Sequence, residues 1–284
     1  MMSNLSLVFF NQLDPIAFRL GSWPVYWYGL LIGLGMVTGY FIYISEIKRK
    51  GMDAEKAFDL MFWSIIMGFV GARVYYVAFS WDQYSENILD VFAIWNGGIA
   101  IYGGIIAGAL TLIYLCRQYK YSIPLMTDIV TPALMAAQVI GRWGNFMNQE
   151  AFGGIVERSL LERMYLPDFV IQQMHIAGQY RHPTFLYESV WNLIGLMILL
   201  ILRRKWQFLL EGDITLLYAF WYGTGRAYIE GMRTDSLYLG PFRVSQVLSL
   251  FLVASALVIL VYRRKTKTKI RKYTESDQLM KMKE

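Results

Sequence analysis

Long apolar runs separated by short charged connections set the pattern of this 284-residue chain. A helix needs about 20 predominantly apolar residues to cross the hydrocarbon of a bilayer. Seven stretches come close to that length, near 23–46, 57–79, 95–116, 126–146, 184–202, 213–231 and 242–262. The pattern predicts an all-α integral membrane protein with seven transmembrane helices. The stretches at 57–79, 126–146 and 213–231 are the least apolar, because each carries an arginine: Arg73, Arg142 and Arg226. Segment 147–183, with Pro167, Gly178 and mixed polarity, reads as a small external head inserted between the fourth and fifth helices. Residues 1–262 then make one seven-span membrane domain that includes the head, and 263–284 make a basic cytoplasmic tail.

Composition agrees. Hydrophobic residues make up 56% of the chain and charged residues only 17%, against about 25% charged in soluble domains. The first 22 residues lack a basic n-region and contain Asp14, Pro15 and Arg19, so the first apolar span is expected to direct insertion itself. A single cysteine, Cys116, excludes an internal disulfide and a cysteine metal cluster. Two histidines, His175 and His182, are too few for a multi-histidine metal site. No metal, cofactor or nucleic-acid partner is expected.

Charge sets the orientation. Eighteen lysines and arginines fall in the connections 47–56, 117–125 and 203–212 and in the tail. Six fall on the other side, at Arg19, Arg158, Arg163, Arg181, Arg233 and Arg243. The positive-inside rule then puts the N-terminus outside and the C-terminus in the cytoplasm. The tail reads as a stop-transfer anchor that lies near anionic lipid or stays disordered.

With the direction of each span fixed, the polar residues gather at one depth near the outer leaflet. Trp27 and Tyr28, Arg73, Asn96 and Tyr102, Arg142, Asn145, Asn148 and Glu150, Tyr187 and Glu188, and Tyr222, Arg226, Glu230 and Arg233 all fall there. Ionisable groups at membrane depth cost about 2.5–3.5 kcal/mol each on insertion scales and tend to mark function. Tyr222, Arg226, Glu230 and Arg233 follow an i, i+4, i+8, i+11 spacing, one helix face. A plainer reading takes Arg226–Glu230 and Arg142–Glu188 as ion pairs that fix helix packing. The pairs Gly29/Gly33, Gly35/Gly39 and Gly104/Gly108 suit close helix packing. Gly97–Gly98 and Gly103–Gly104 instead suggest a bent or re-entrant approach to the third span.

Arginines in an outer-leaflet pocket suit an anion on an apolar body, such as a phospholipid, because guanidinium groups match phosphate geometry and stay charged. No Ser-His-Asp or Cys-His arrangement is evident, so a nucleophile would arrive with a second substrate. A transporter or flippase for an anionic lipid or solute would use the same arginines. It would also need polar residues on the cytoplasmic side and inverted repeats.

The run Gly141–Glu150, G-R-W-G-N-F-M-N-Q-E, resembles the signature of prolipoprotein diacylglyceryl transferases. V-Y-W-Y-G-L at 25–30, W-N-G-G-I-A-I-Y-G-G-I-I-A-G at 95–108, H-P-T-F-L-Y-E at 182–188 and Y-G-T-G-R-A-Y-I-E-G-M-R at 222–233 resemble it further, in order. The resemblance implies a multi-pass enzyme of the bacterial plasma (inner) membrane with residues 1–262 as its catalytic domain. Its substrates would be phosphatidylglycerol, a membrane lipid, and a prolipoprotein signal peptide with its lipobox cysteine. Functional positions carry over to Tyr28, Arg142, Asn145, Glu150, Gly153, Glu188, Tyr222, Arg226 and Glu230. Arg73 and Arg233 join as further candidate substrate contacts. Tyr102 stands where the family usually has a histidine proposed as a base. A tyrosine, with a pKa near 10, is a poor base at neutral pH. Arginines that favour the thiolate, with Glu150 or Glu188 taking the proton, would make a base at position 102 unnecessary.

Overall fold

The computed structural model describes residues 12–85, 87–93, 97–266 and 270–275. Helices dominate: α1 (Trp27–Arg49), α2 (Ala54–Phe79), α3 (Ile101–Gln118), α4 (Ile123–Met147), α5 (Arg158–Arg163), α6 (Asp168–Gln173), α7 (Thr184–Lys205), α8 (Asp213–Glu230) and α9 (Val244–Lys265). Six of them, α1 to α4, α7 and α9, are long and apolar enough to cross a membrane. The expected span at 213–231 is present as the helix α8, but Asp213, Arg226 and Glu230 leave it outside that class.

Among the described residues, three short antiparallel hairpins add to the predicted helices: β1 (Ile16–Leu20) with β2 (Trp23–Tyr26), β3 (His175–Ile176) with β4 (Gln179–Tyr180), and β5 (Tyr238–Leu239) with β6 (Phe242–Arg243). The first helix therefore starts at Trp27 rather than 23, because Trp23–Tyr26 pairs as a strand. The third starts at Ile101 rather than 95.

The chain divides into two compact units, Met1–Ile42 with Val130–Ile270, and Tyr43–Ile129 with Arg271–Glu284. In the first, Gly35 and Gly39 let α1 approach the α4 backbone at Ala137 and Ala133; a Cβ on Gly39 would sit 2.9 Å from the Ala133 carbonyl. Helices α7 and α8 are locked by a reciprocal exchange. Trp191 Nε1 donates to the Trp221 carbonyl at 3.0 Å, Trp221 Nε1 donates to the Trp191 carbonyl at 2.9 Å, and the two rings stack at 4.4 Å. Segment 147–183 has its own small core, in which Leu161, Val170, Ile171 and Met174 close on Phe146 and Phe185.

In the second unit α2 and α3 pack along glycines. Gly68 and Gly71 face Gly103 and Gly104, and Gly108 faces the Ser64 carbonyl. Gly103–Gly104 thus lies inside α3 and does not bend the chain. Among the described residues of this approach, the left-handed turn falls on Gly97 (φ 84°) and Gly98 (φ 77°). One stretch of the tail is packed, where its charge suggested a disordered or lipid-associated segment. Tyr273 is fully buried; its hydroxyl donates to Glu46 Oε1 at 2.7 Å and its carbonyl accepts from Lys50 Nζ at 2.8 Å. That ammonium also stands 3.7 Å from the Tyr273 ring centroid. Apolar ring burial here outweighs the pull of water on a locally basic segment. The tail's 267–269 and 276–284 lie outside the described residues.

Candidate functional site

The first unit brings the C-terminal ends of α4 and α8 and the N-terminal end of α7 together through backbone pairing. Beyond α4 the chain reverses through Gln149 (φ 53°) and Ala151 (φ 56°), both left-handed. Such conformations cost about 1–3 kcal/mol each in non-glycine residues and persist only where the surroundings enforce them. The surroundings do so here. The N–H of Gly153 donates to the His182 carbonyl at 3.0 Å, and that of Gly154 to the Met232 carbonyl at 3.2 Å. Thr184 Oγ1 donates to the Ala151 carbonyl. Gly153 has no room for a side chain, since a Cβ would lie 2.7 Å from His182 Cβ. The end of the 141–154 run is therefore stitched to the residues that open α7 and to those that close α8.

This stitching aligns three arginines and three carboxylates. Glu188 on α7 takes Arg142 Nη2 on Oε2 at 2.6 Å and Arg226 Nη1 on Oε1 at 2.9 Å. Arg226 Nη2 reaches Glu230 Oε2 at 2.5 Å. Arg233 donates twice to Asp235, from Nε at 2.9 Å and Nη2 at 2.8 Å. The Glu188 and Glu230 side chains are only 5% and 2% exposed, whereas that of Asp235 is 48% exposed. The Arg233 N–H groups hold the Asp235 carboxyl below the usual carboxylate range, against the opposing pull of partial burial. Both packing pairs expected from the sequence, Arg142–Glu188 and Arg226–Glu230, are present, and the link from Glu188 to Arg226 joins them into one network.

Neighbouring side chains fix this network. Trp143 Nε1 donates to Ser189 Oγ at 3.2 Å, and Ser189 Oγ donates to the Val139 carbonyl at 2.9 Å, clamping α4 to α7 beside Glu188. Gln138 Nε2 donates to the Tyr218 hydroxyl at 2.8 Å, and Tyr218 stacks on Tyr222 at 5.5 Å. Gly144 makes room for Tyr28: a Cβ there would meet Tyr28 Cδ2 at 2.6 Å. Asn145 is half-buried near the end of α4. Glu150 is exposed and accepts from Asn148 Nδ2 at 3.0 Å rather than from an arginine.

Two candidates belong to the other unit. Tyr102 is exposed in the first turn of α3. Arg73 is buried and commits its guanidinium to backbone, donating to the carbonyls of Asp90, Val91, Gly97 and Gly98 at 2.6–2.8 Å. Asn96 lies outside the described residues. The sequence reading missed Gln138, Tyr218, Ser189 and Asp235. Tyr218 carried a signal, one turn before Tyr222 on the same face. Asp235 carried another, two residues beyond the last arginine of the 222–233 run.

Residues 15–262 match the family model described as prolipoprotein diacylglyceryl transferase. The chain is 49% identical over 254 residues to a phosphatidylglycerol–prolipoprotein diacylglyceryl transferase of Lactobacillus acidophilus, covering 89% of this chain and 91% of that protein. It is 50% identical to one from Listeria monocytogenes over the same shares. It is 49% identical to one from Lactobacillus delbrueckii subsp. bulgaricus over 270 residues, 94% of this chain and 96% of that protein.

Proposed function

This chain belongs to the prolipoprotein diacylglyceryl transferase family, and from that premise we propose that it moves the diacylglyceryl group of phosphatidylglycerol onto the lipobox cysteine thiol of a prolipoprotein. The peptide's thiolate sulfur attacks the sp³ glyceryl carbon that bears the phosphate ester. The C–S bond forms as the C–O bond breaks. The electron pair leaves on the phosphate oxygen, so the products are a thioether-linked lipoprotein precursor and glycerol phosphate. The thiol proton goes to Glu150 or to water, because guanidinium groups already take both oxygens of Glu188.

The observation that carries this reading is the double engagement of Glu188 by Arg142 and Arg226. It sets two guanidinium groups at a fixed separation in a poorly solvated site. Donors held in advance stabilise negative charge developing on the leaving phosphate without reorganising during the reaction. Tyr28, Asn145, Gly153, Tyr222, Glu230 and Arg233 frame the lipid headgroup. Arg73 is better assigned to holding its own loop than to the lipid, because four carbonyls already take its N–H groups. A transporter for an anionic solute is not favoured, since the relatives are named as transferases.

The finer topology follows the charge pattern. Helix α8 completes seven spans, its charged residues Asp213, Arg226 and Glu230 turned to protein rather than lipid. Residues 147–183 form the external head, and the C-terminus lies in the cytoplasm of a bacterium whose plasma membrane holds the enzyme. The test is an assay with purified protein, phosphatidylglycerol and a lipobox peptide. Thioether formation with release of glycerol phosphate supports the reading. No transfer by folded protein refutes it.

A further inference from the structure

The three arginines at the outer ends of α4 and α8 differ in what holds them. Arg142 and Arg226 are tied to Glu188 and Glu230, whose side chains are 5% and 2% exposed. Pulling Arg142 away would take one of two counter-charges from buried Glu188, and pulling Arg226 away would take the other and leave buried Glu230 only its 4.0 Å contact with Arg233, both unfavourable. Arg233 is different. Its two strong bonds go to Asp235, a carboxylate 48% exposed. Glu230 Oε2 lies only at the limit of an ion pair with Arg233 Nε, at 4.0 Å. Released from Arg233, the half-exposed Asp235 carboxylate is solvated at once, so the exchange costs it little. The Arg233 side chain is only 13% exposed, so it keeps a poorly solvated charge that gains from a new anionic partner.

Backbone geometry keeps Arg233 in place during such an exchange. Gly153 forms a bridge with Arg233, and Thr234 N–H and Oγ1 both donate to the Phe152 carbonyl. A change of partner therefore moves the Asp235 side chain rather than the arginine. The fork that Asp235 occupies, Nε and Nη2, is also the edge that binds two oxygens of a phosphate ester.

We propose that Asp235 is an exchangeable latch on Arg233, which a phosphate ester displaces when it binds, so that Asp235 sets the affinity for the phosphate through Arg233. Asp235 is a positioning residue in this scheme and touches no reacting atom. The proposal rests on the phosphate-binding reading given above and adds to it which arginine is recruited and what it gives up.

The test compares wild type with Asp235→Asn, Arg233→Gln and the double variant, purified in nanodiscs of zwitterionic lipid. Calorimetry measures binding of glycerol phosphate, and steady-state transfer gives KM for phosphatidylglycerol. Asp235→Asn is expected to bind glycerol phosphate about three- to tenfold more tightly and to lower KM in parallel, as follows when a competing charge is removed from the arginine. The gain should vanish in the double variant. A purely structural role for Asp235 would lower affinity or leave it alone. Unchanged or weaker binding in Asp235→Asn, or a gain that survives Arg233→Gln, would overturn the proposal. A gain for glycerol phosphate with unchanged KM supports the latch and restricts it to the released product. Wild type that fails to turn over phosphatidylglycerol counts against the transferase reading alone, because the calorimetric arm needs no turnover.

Discussion

Arg226 Nη1 lies 2.9 Å from Glu188 Oε1, and through that contact the charged face of α8 becomes continuous with the arginine of α4. Without it the first unit would hold two separate pairs, each readable as packing.

Glu188 is accordingly the residue whose loss does most damage to the fold of the site. Glu188→Ala leaves Arg142 and Arg226 facing each other without their shared counter-charge. Removing one partner of a buried ion pair costs about 3–5 kcal/mol. Thermal unfolding in detergent should show a large drop for Glu188→Ala and a smaller one for Glu188→Gln, which still accepts hydrogen bonds. Equal, near-wild-type melting for both would mean that the arginines are solvated and the network is weak.

Arg73 is expected to behave as a loop staple. Lysine keeps the charge but cannot reach four carbonyls from one planar group. Hydrogen bonds to charged groups contribute about 1.5–3 kcal/mol each, so Arg73→Lys should lower stability by at least about 2 kcal/mol. It should also speed proteolysis within 80–98. Gly98→Ala should have a similar effect, because its Cβ would lie 2.5 Å from Arg73 Nη1. A selective rise in KM for phosphatidylglycerol with unchanged stability and cleavage would restore Arg73 to the lipid.

The buried Tyr273 makes part of the tail structural. Large aromatic-to-alanine changes in cores cost about 3–5 kcal/mol. Tyr273→Ala, and truncation after Ile270, should each reduce thermal stability by an amount near that range. Truncated protein that melts with wild type would show that the 271–275 contact contributes nothing in the membrane.

What the sequence made legible follows from what each signal measures. Apolar run length located the helices that reappear as α1 to α4 and α7 to α9, with errors at the ends where Trp23–Tyr26 pairs as a strand instead. Helical spacing placed Tyr222, Arg226 and Glu230 on one face of α8, and the pairs Arg142–Glu188 and Arg226–Glu230 are formed. Depth in the bilayer was a poorer guide. The expected depth grouped Arg73 with the cluster, but its partners are backbone carbonyls, which no side-chain pattern reveals. The Trp191–Trp221 exchange was hidden for the same reason, and Tyr273 because a basic composition describes the tail's average rather than one ring.

The Arg233–Asp235 fork gives a pH signature. Arg233 lowers the Asp235 pKa below the ordinary carboxylate value, so the stabilisation is fully present above about pH 4 and fades as the pH falls through the folded pKa. The melting difference between wild type and Asp235→Asn should stay constant from pH 7 to 5 and change only below about pH 4. A difference that changes between pH 7 and 5 would mean that another group controls the fork.

The most direct test of the arginine-centred account is single-turnover transfer from phosphatidylglycerol to a lipobox peptide, comparing Arg226→Lys with Tyr102→Phe after folding has been verified. Loss of one oriented donor to developing charge typically costs about 10²–10³ in rate. Arg226→Lys should therefore fall by about that factor, because a point charge replaces the fork, while Tyr102→Phe keeps measurable turnover. A near-normal rate for Arg226→Lys, together with an inactive Tyr102→Phe, would contradict the account and move the chemistry to Tyr102.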